Sequence, residues 1–123
     1  MPQSIHRLMI SHALFDVATQ AVRAYSLETG RFESINSTIA CAADRVARQD
    51  NEQAALGALV TSDPLDGPVR VHLIIKDNWT ADFRAARARL DEATGQTLTV
   101  KQAFAALARW QSARADQLGR FQY

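Results

Sequence analysis

Two short stretches of the chain alternate apolar and other side chains with a period of two. In SIHRLMIS, Leu8 and Ile10 alternate with Arg7 and Met9, and in VRVHLIIK, Leu73 and Ile75 alternate with His72 and Ile74. Such a pattern predicts two β-strands, each with one buried face. Arg7 and Met9 on one strand, and Arg70, His72 and Ile74 on the other, would then point away from the core. After each strand the period changes. Leu14, Ala18, Ala21 and Tyr25 follow the first, and Trp79, Phe83, Ala86 and Leu90 the second, at the three- and four-residue spacing of an amphipathic helix. Both helices run to a glycine, Gly30 or Gly95, the residue that closes a helix in the left-handed conformation without penalty.

A second helix is predicted from Ser34 in one half and Thr99 in the other, whose hydroxyls can accept a free backbone N–H. Its buried stripe would be Ile35, Ile39, Ala42 and Val46 against Val100, Phe104 and Leu107, with Trp110 near the end. Thr99-Val100-Lys101-Gln102 has capping-box spacing. With Ser37 at the corresponding place, the first half is expected to have a simpler cap.

The two halves superpose without a gap at an offset of 65, which carries Gly30 onto Gly95 and Ser34-Ile35 onto Thr99-Val100. Identities are few, but residue class agrees where structure demands it. The chain therefore reads as a single domain, 1–123, made of two repeats: a strand-helix-helix unit over 5–49, a connection over 50–69, a second unit over 70–118 and a tail over 119–123. The connection has a helix-compatible first part and turn material at Pro64, Asp66, Gly67 and Pro68. In the tail, Phe121 and Tyr123 either dock or fray.

Composition narrows the function classes. A chain of 123 residues, 47 % apolar and 22 % charged, suits one globular core. No apolar run reaches the roughly 20 residues of a membrane span, and the first residues do not resemble a signal peptide, so a cytoplasmic protein without membrane contact is expected. Cys41 is the only cysteine and reads as a small buried residue. No phosphate-cradling loop, nucleophile elbow or His/Cys/carboxylate triad is present, so neither catalysis nor a cofactor is expected. His12 and Asp16 are spaced like metal ligands but lack a third partner, and no metal is expected. Arg84, Arg87 and Arg89 read as a solvated helix face, His6 as a ribbon-edge or partly buried residue, and Trp79 and Trp110 as core or cap residues. Net charge is only +1, but all basic residues except Lys76 and Lys101 are arginine, the side chain suited to phosphate and guanine.

One strand with two helices cannot be stable alone, because the strand has no partner. Two such units about a two-fold axis solve this by pairing their strands antiparallel and closing four helices over the ribbon. Placing both on one chain makes the association intramolecular. The expected fold is mainly α with one two-stranded antiparallel ribbon.

These residues resemble the ribbon-helix-helix DNA-binding superfamily of the Arc and MetJ repressors, over Ile5 to Val46 and Arg70 to Gln111. The sharpest local likeness is ETGRFESINSTI, with Gly30 at the turn, Ser34-Ile35-Asn36-Ser37 opening the second helix, and Phe32 and Glu33 inserted relative to the pattern. The tandem arrangement is similar to the single-chain pseudodimers of plasmid and T-DNA transfer systems, which act beside a relaxase. The resemblance implies double-stranded DNA as partner, with the ribbon in the major groove. Arg7, Met9, Arg70, His72 and Ile74 would contact bases. The helix starts at Ser34, Ile35 and Asn36 and at Thr99, Val100 and Lys101, with Lys76, would contact phosphates. It also implies a transcriptional regulator or an accessory of DNA transfer, working as a monomeric pseudodimer, with self-association on DNA open. Met9 and Ile74 depart from the polar readers usual in the family, though they can touch thymine methyls, and the unequal strands imply a non-palindromic site. A protein-interaction module, antitoxin-like or a relaxosome scaffold, is the competing expectation, favoured by the near-neutral charge.

Overall fold

In the computed structural model, which describes residues 3–48 and 53–119, the element order is β1 (Ser4–Ile10), α1 (His12–Thr29), α2 (Ile35–Arg48), α3 (Gln53–Gly57), β2 (Val69–Ile75), α4 (Asp77–Thr94) and α5 (Val100–Gly119). The protein is mainly helical with one two-stranded antiparallel sheet, β1 against β2. Each strand has 7 residues, and α1 and α4 have 18 each. Strands and first helices in the two halves begin and end at the offset read from the sequence. Gly30 (φ 75°) and Gly95 (φ 69°) close α1 and α4 in the left-handed conformation, each donating its N–H back into the last turn, to Ser26 and Asp91.

The ribbon's inner face carries Leu8, Ile10, Leu73 and Ile75, all buried, with His6 and Val71 half-buried beside them. Beneath it, each first helix packs mainly on the second helix of the other half: α1 along α5, and α2 along α4. Helix α5 is enclosed on every side from Ala103 to Ala108, around Phe104 and Leu107. Four of these six residues are alanine, which lets the neighbouring backbones approach closely. Trp79 and Phe83 meet edge to face in the core, with centroids 6.1 Å apart at 78°.

Three expectations change. The inward face of α1 ends on Ala24, not Tyr25, which is half-buried beside Cys41, itself only half-buried. The small Ala21 and Ala24 serve the close approach to α5, and the phenol is turned to the side. Second, of the three arginines read as a solvated face, only Arg84 is exposed. Arg87 donates to the carbonyl of Leu98, and Arg89 donates to that of Val46 at 3.0 Å, so both tie α4 to neighbouring backbone. Third, the α2 cap is as complete as that of α5. Ser34 and Ser37 exchange N–H to Oγ bonds, both 3.0 Å, as the Thr99 N–H donates to Gln102 Oε1 at 2.8 Å and the Gln102 N–H to Thr99 Oγ1 at 3.1 Å.

The described part of the connection folds onto the body. α3 lies on α4 with Leu56 buried, and Leu65 accepts from the Ser11 N–H at 2.7 Å while Asp66 bridges to Ile10. A Cβ on Gly67 would come within 2.4 Å of the Ser11 Cα, so a glycine is required for this approach. Phe121 and Tyr123 lie outside the described residues.

A partly buried ion network ties three helices together. Glu28 of α1 receives Arg45 of α2 in a bidentate contact and Arg114 of α5 at 3.4 Å. Arg114 also lies 5.4 Å from the Trp110 ring centroid. The hydrogen bond from Arg45 holds the Glu28 carboxyl below its ordinary range. A carboxylate with a depressed folded pKa contributes stability above the unfolded-state value, and that contribution is lost as pH falls through the folded value. Glu28→Gln is therefore expected to cost about 1 kcal/mol at neutral pH. Urea unfolding repeated at pH values stepped down through and below the ordinary carboxylate range should show the two proteins converging.

Candidate nucleic-acid interface

The outward face of the ribbon is built from three cross-strand pairs: Ile5 opposite Ile74, Arg7 opposite His72, and Met9 opposite Arg70. Strand parity brings together all five residues expected there and adds Ile5, 58 % exposed. Ile5 was missed, although its alternation with Arg7 carried the signal. Arg7, Arg70 and His72 are exposed, Met9 is 41 % exposed, and Ile74 is half-buried. The face thus has a basic middle, Arg7 beside His72, flanked by one apolar pair and one mixed pair.

The register has a further property. Arg7 and His72, directly opposite, are also equivalent under the repeat offset, and the pairs on either side exchange: His6 with Leu73 against Leu8 with Val71. A two-fold axis through the ribbon would pass between Arg7 and His72.

The starts of α2 and α5 flank the ribbon. Asn36 Oδ1 accepts from the Ile74 N–H at 2.8 Å, holding the α2 start against β2. Lys101 is ion-paired to Asp66, which bridges to Ile10, so the α5 start lies at the end of β1. With Ser34/Ser37 and Thr99/Gln102 engaged in capping, the N–H groups of Ile35, Asn36, Val100 and Lys101 make no hydrogen bond among the described residues. These are the groups that favour an anion at a helix N-terminus. Lys101 enters this site neutralised by Asp66, whereas Lys76 is exposed at the start of α4 and caps with no side-chain bond. Glu33 stands just before α2, accepts from Ser37 Oγ at 2.9 Å, and is held ionised chiefly by Arg31, at 2.7 Å. The equivalent residue before α5 is the buried Leu98. The two N-termini therefore differ: at α2 the carboxylate is Glu33, bonded to the capping Ser37, whereas at α5 it is Asp66, paired with Lys101, and Asp91, which accepts from the Leu98 N–H at 2.8 Å.

His12 and Asp16 are both exposed on the first turns of α1, and Asp16 accepts from Gln20 at 3.3 Å. Burial pushes the Cys41 thiol above its ordinary range, away from reactive thiolate chemistry.

No family model, curated protein or solved structure matches the chain. Among the described residues, no helix is long and apolar enough to cross a membrane.

Proposed function

We propose that the chain is a single-chain ribbon-helix-helix pseudodimer that binds double-stranded DNA, its ribbon entering the major groove. The observation that carries this reading is the central pair, Arg7 opposite His72, exposed at the midpoint of a two-fold register with Arg70 one pair away. An antiparallel ribbon is narrow enough for the major groove, and arginine is the commonest reader of guanine. The N–H groups of Ile35, Asn36, Val100 and Lys101 contact phosphates on either side, with Lys76 adding charge, and Met9 and Ile74 meet thymine methyls. The halves of the ribbon differ, so the site is non-palindromic. Regulation of transcription or assistance to a relaxase in DNA transfer would use this same surface.

Titrating labelled duplex with salt tests the reading. Affinity is expected to fall steeply as salt rises. Arg7→Ala/Arg70→Ala is expected to weaken binding by about 1–3 kcal/mol for each lost base contact and to flatten the salt dependence. Absence of binding at low salt, or indifference to the double substitution, would exclude a ribbon that reads the groove.

A protein-interaction module without DNA binding is the second reading. It is favoured by exposed Ile5 and Met9 on the ribbon face and by Glu33, whose charge opposes a phosphate at α2. That reading requires the ribbon face to bind protein at salt concentrations that abolish DNA binding.

A further inference from the structure

The two outer edges of the ribbon are finished differently. On β1, the chain's own segment at Leu65–Asp66 adds to the edge: Leu65 accepts from Ser11 and Asp66 bridges to Ile10. On β2, the Ile74 N–H is taken by Asn36, which shows that it points away from β1. Alternate residues of a strand turn their main-chain groups the same way, so Arg70 and His72 present N–H and C=O on that edge too. Among the described residues nothing bonds to those groups.

A groove of about 350 Å³ lies against this stretch, walled by Phe15, Ala18, Thr19 and Val22 of α1, Ile35 of α2 and Val71 of β2. Arg70 and His72 stand at its rim. Its origin is visible in the repeat. Where the first half has Ala18 and Val22, the second has Phe83, buried in the core, and Arg87, bonded to Leu98. Two smaller side chains at these positions accompany the open space in the first half.

We propose that the β2 edge and this groove form a docking site for an extended acidic segment of a partner protein carrying an aliphatic residue. The segment adds to β2 as a third strand, exchanging main-chain hydrogen bonds with Arg70 and His72. Its aliphatic side chain enters the groove, and its carboxylates meet the side chains of Arg70 and His72. The chain's own Leu65-Asp66 on the opposite edge, an aliphatic residue followed by an acid, is the same chemistry in place. The complex has one partner per chain. This inference does not rest on the DNA reading, because its main-chain bonds and groove lie at the strand edge, although it shares the Arg70 and His72 side chains with the outward face.

The test titrates the full chain with a short synthetic peptide alternating isoleucine with aspartate and glutamate, followed by fluorescence anisotropy and by amide NMR. Saturable one-to-one binding is expected, with the His72 and Arg70 amides shifting and exchanging more slowly. Peptide N-methylated on alternate amides should fail to bind. Val22→Arg, copying Arg87, and Ala18→Phe, copying Phe83, should each weaken binding about tenfold or more. Val22 is half-buried on the wall, so it keeps the test decisive should Ala18→Phe unfold. No saturable binding up to about 1 mM peptide overturns the proposal. So does binding that survives both wall substitutions, or binding that duplex DNA displaces without any change at the His72 amide, the mark of a peptide acting as a generic polyanion.

Discussion

Phe104→Ala is expected to destabilise the protein by about 3–5 kcal/mol. Phe104 is fully buried near the start of α5, within the run from Ala103 to Ala108 that has no exposed member. Helices α1 and α2 both pack against α5, and each has small buried side chains, Ala21 and Ala24 on α1 and Ala42 and Ala43 on α2. Removing the ring from so closely packed a run leaves a cavity, whose cost adds to the lost transfer free energy. Domain stabilities are about 5–15 kcal/mol, so this one substitution removes a large share. The equivalent position in the first half holds Ile39, also fully buried, where Ile39→Val should cost only about 0.5–1.5 kcal/mol. Urea unfolding of both variants checks the contrast. A loss below about 1 kcal/mol for Phe104→Ala would contradict a core centred on α5.

The second large effect has the opposite sign. Gln111 is fully buried on α5, and among the described residues neither Nε2 nor Oε1 has a hydrogen-bond partner. An amide removed from water without a partner costs about 1–3 kcal/mol by mutational comparison. The other half carries Val46 at the equivalent position, equally buried, so this environment accepts an aliphatic side chain. Gln111→Leu keeps a similar volume and is expected to raise stability by about that amount, with a thermal midpoint several degrees higher. A neutral or destabilising result would mean that the amide is paired in solution.

Some of this was legible from local chemistry. The alternation of Leu8 and Ile10 with Arg7 and Met9 assigns faces because a strand has a period of two and no freedom to choose otherwise. Gly30 and Gly95 mark helix ends because a left-handed residue without a Cβ is needed there, and Ser34 and Thr99 mark helix starts because an unpaired N–H needs an acceptor. The outward ribbon face followed from the same parity, with Ile5 the one omission.

What depends on which elements meet was not legible. Arg87 and Arg89 sit at surface-like positions on α4, and only the approach of the Leu98 and Val46 carbonyls turns them inward. Lys101 looked like a free cation for phosphate until the connection brought Asp66 to it. Ser37 completed a reciprocal cap that residue type alone made look simpler.

By itself, then, the sequence determined the two strands, the four long helices, their ends and most of their faces, since each of these rests on neighbours within about one turn or one strand. The tertiary structure alone decided that α1 lies along α5 and α2 along α4, that the connection meets the end of β1 at Leu65 and Asp66, and that Ala18 and Val22 line a groove against β2. Those outcomes depend on how side chains far apart in the chain fill a shared volume, a property that no local pattern records.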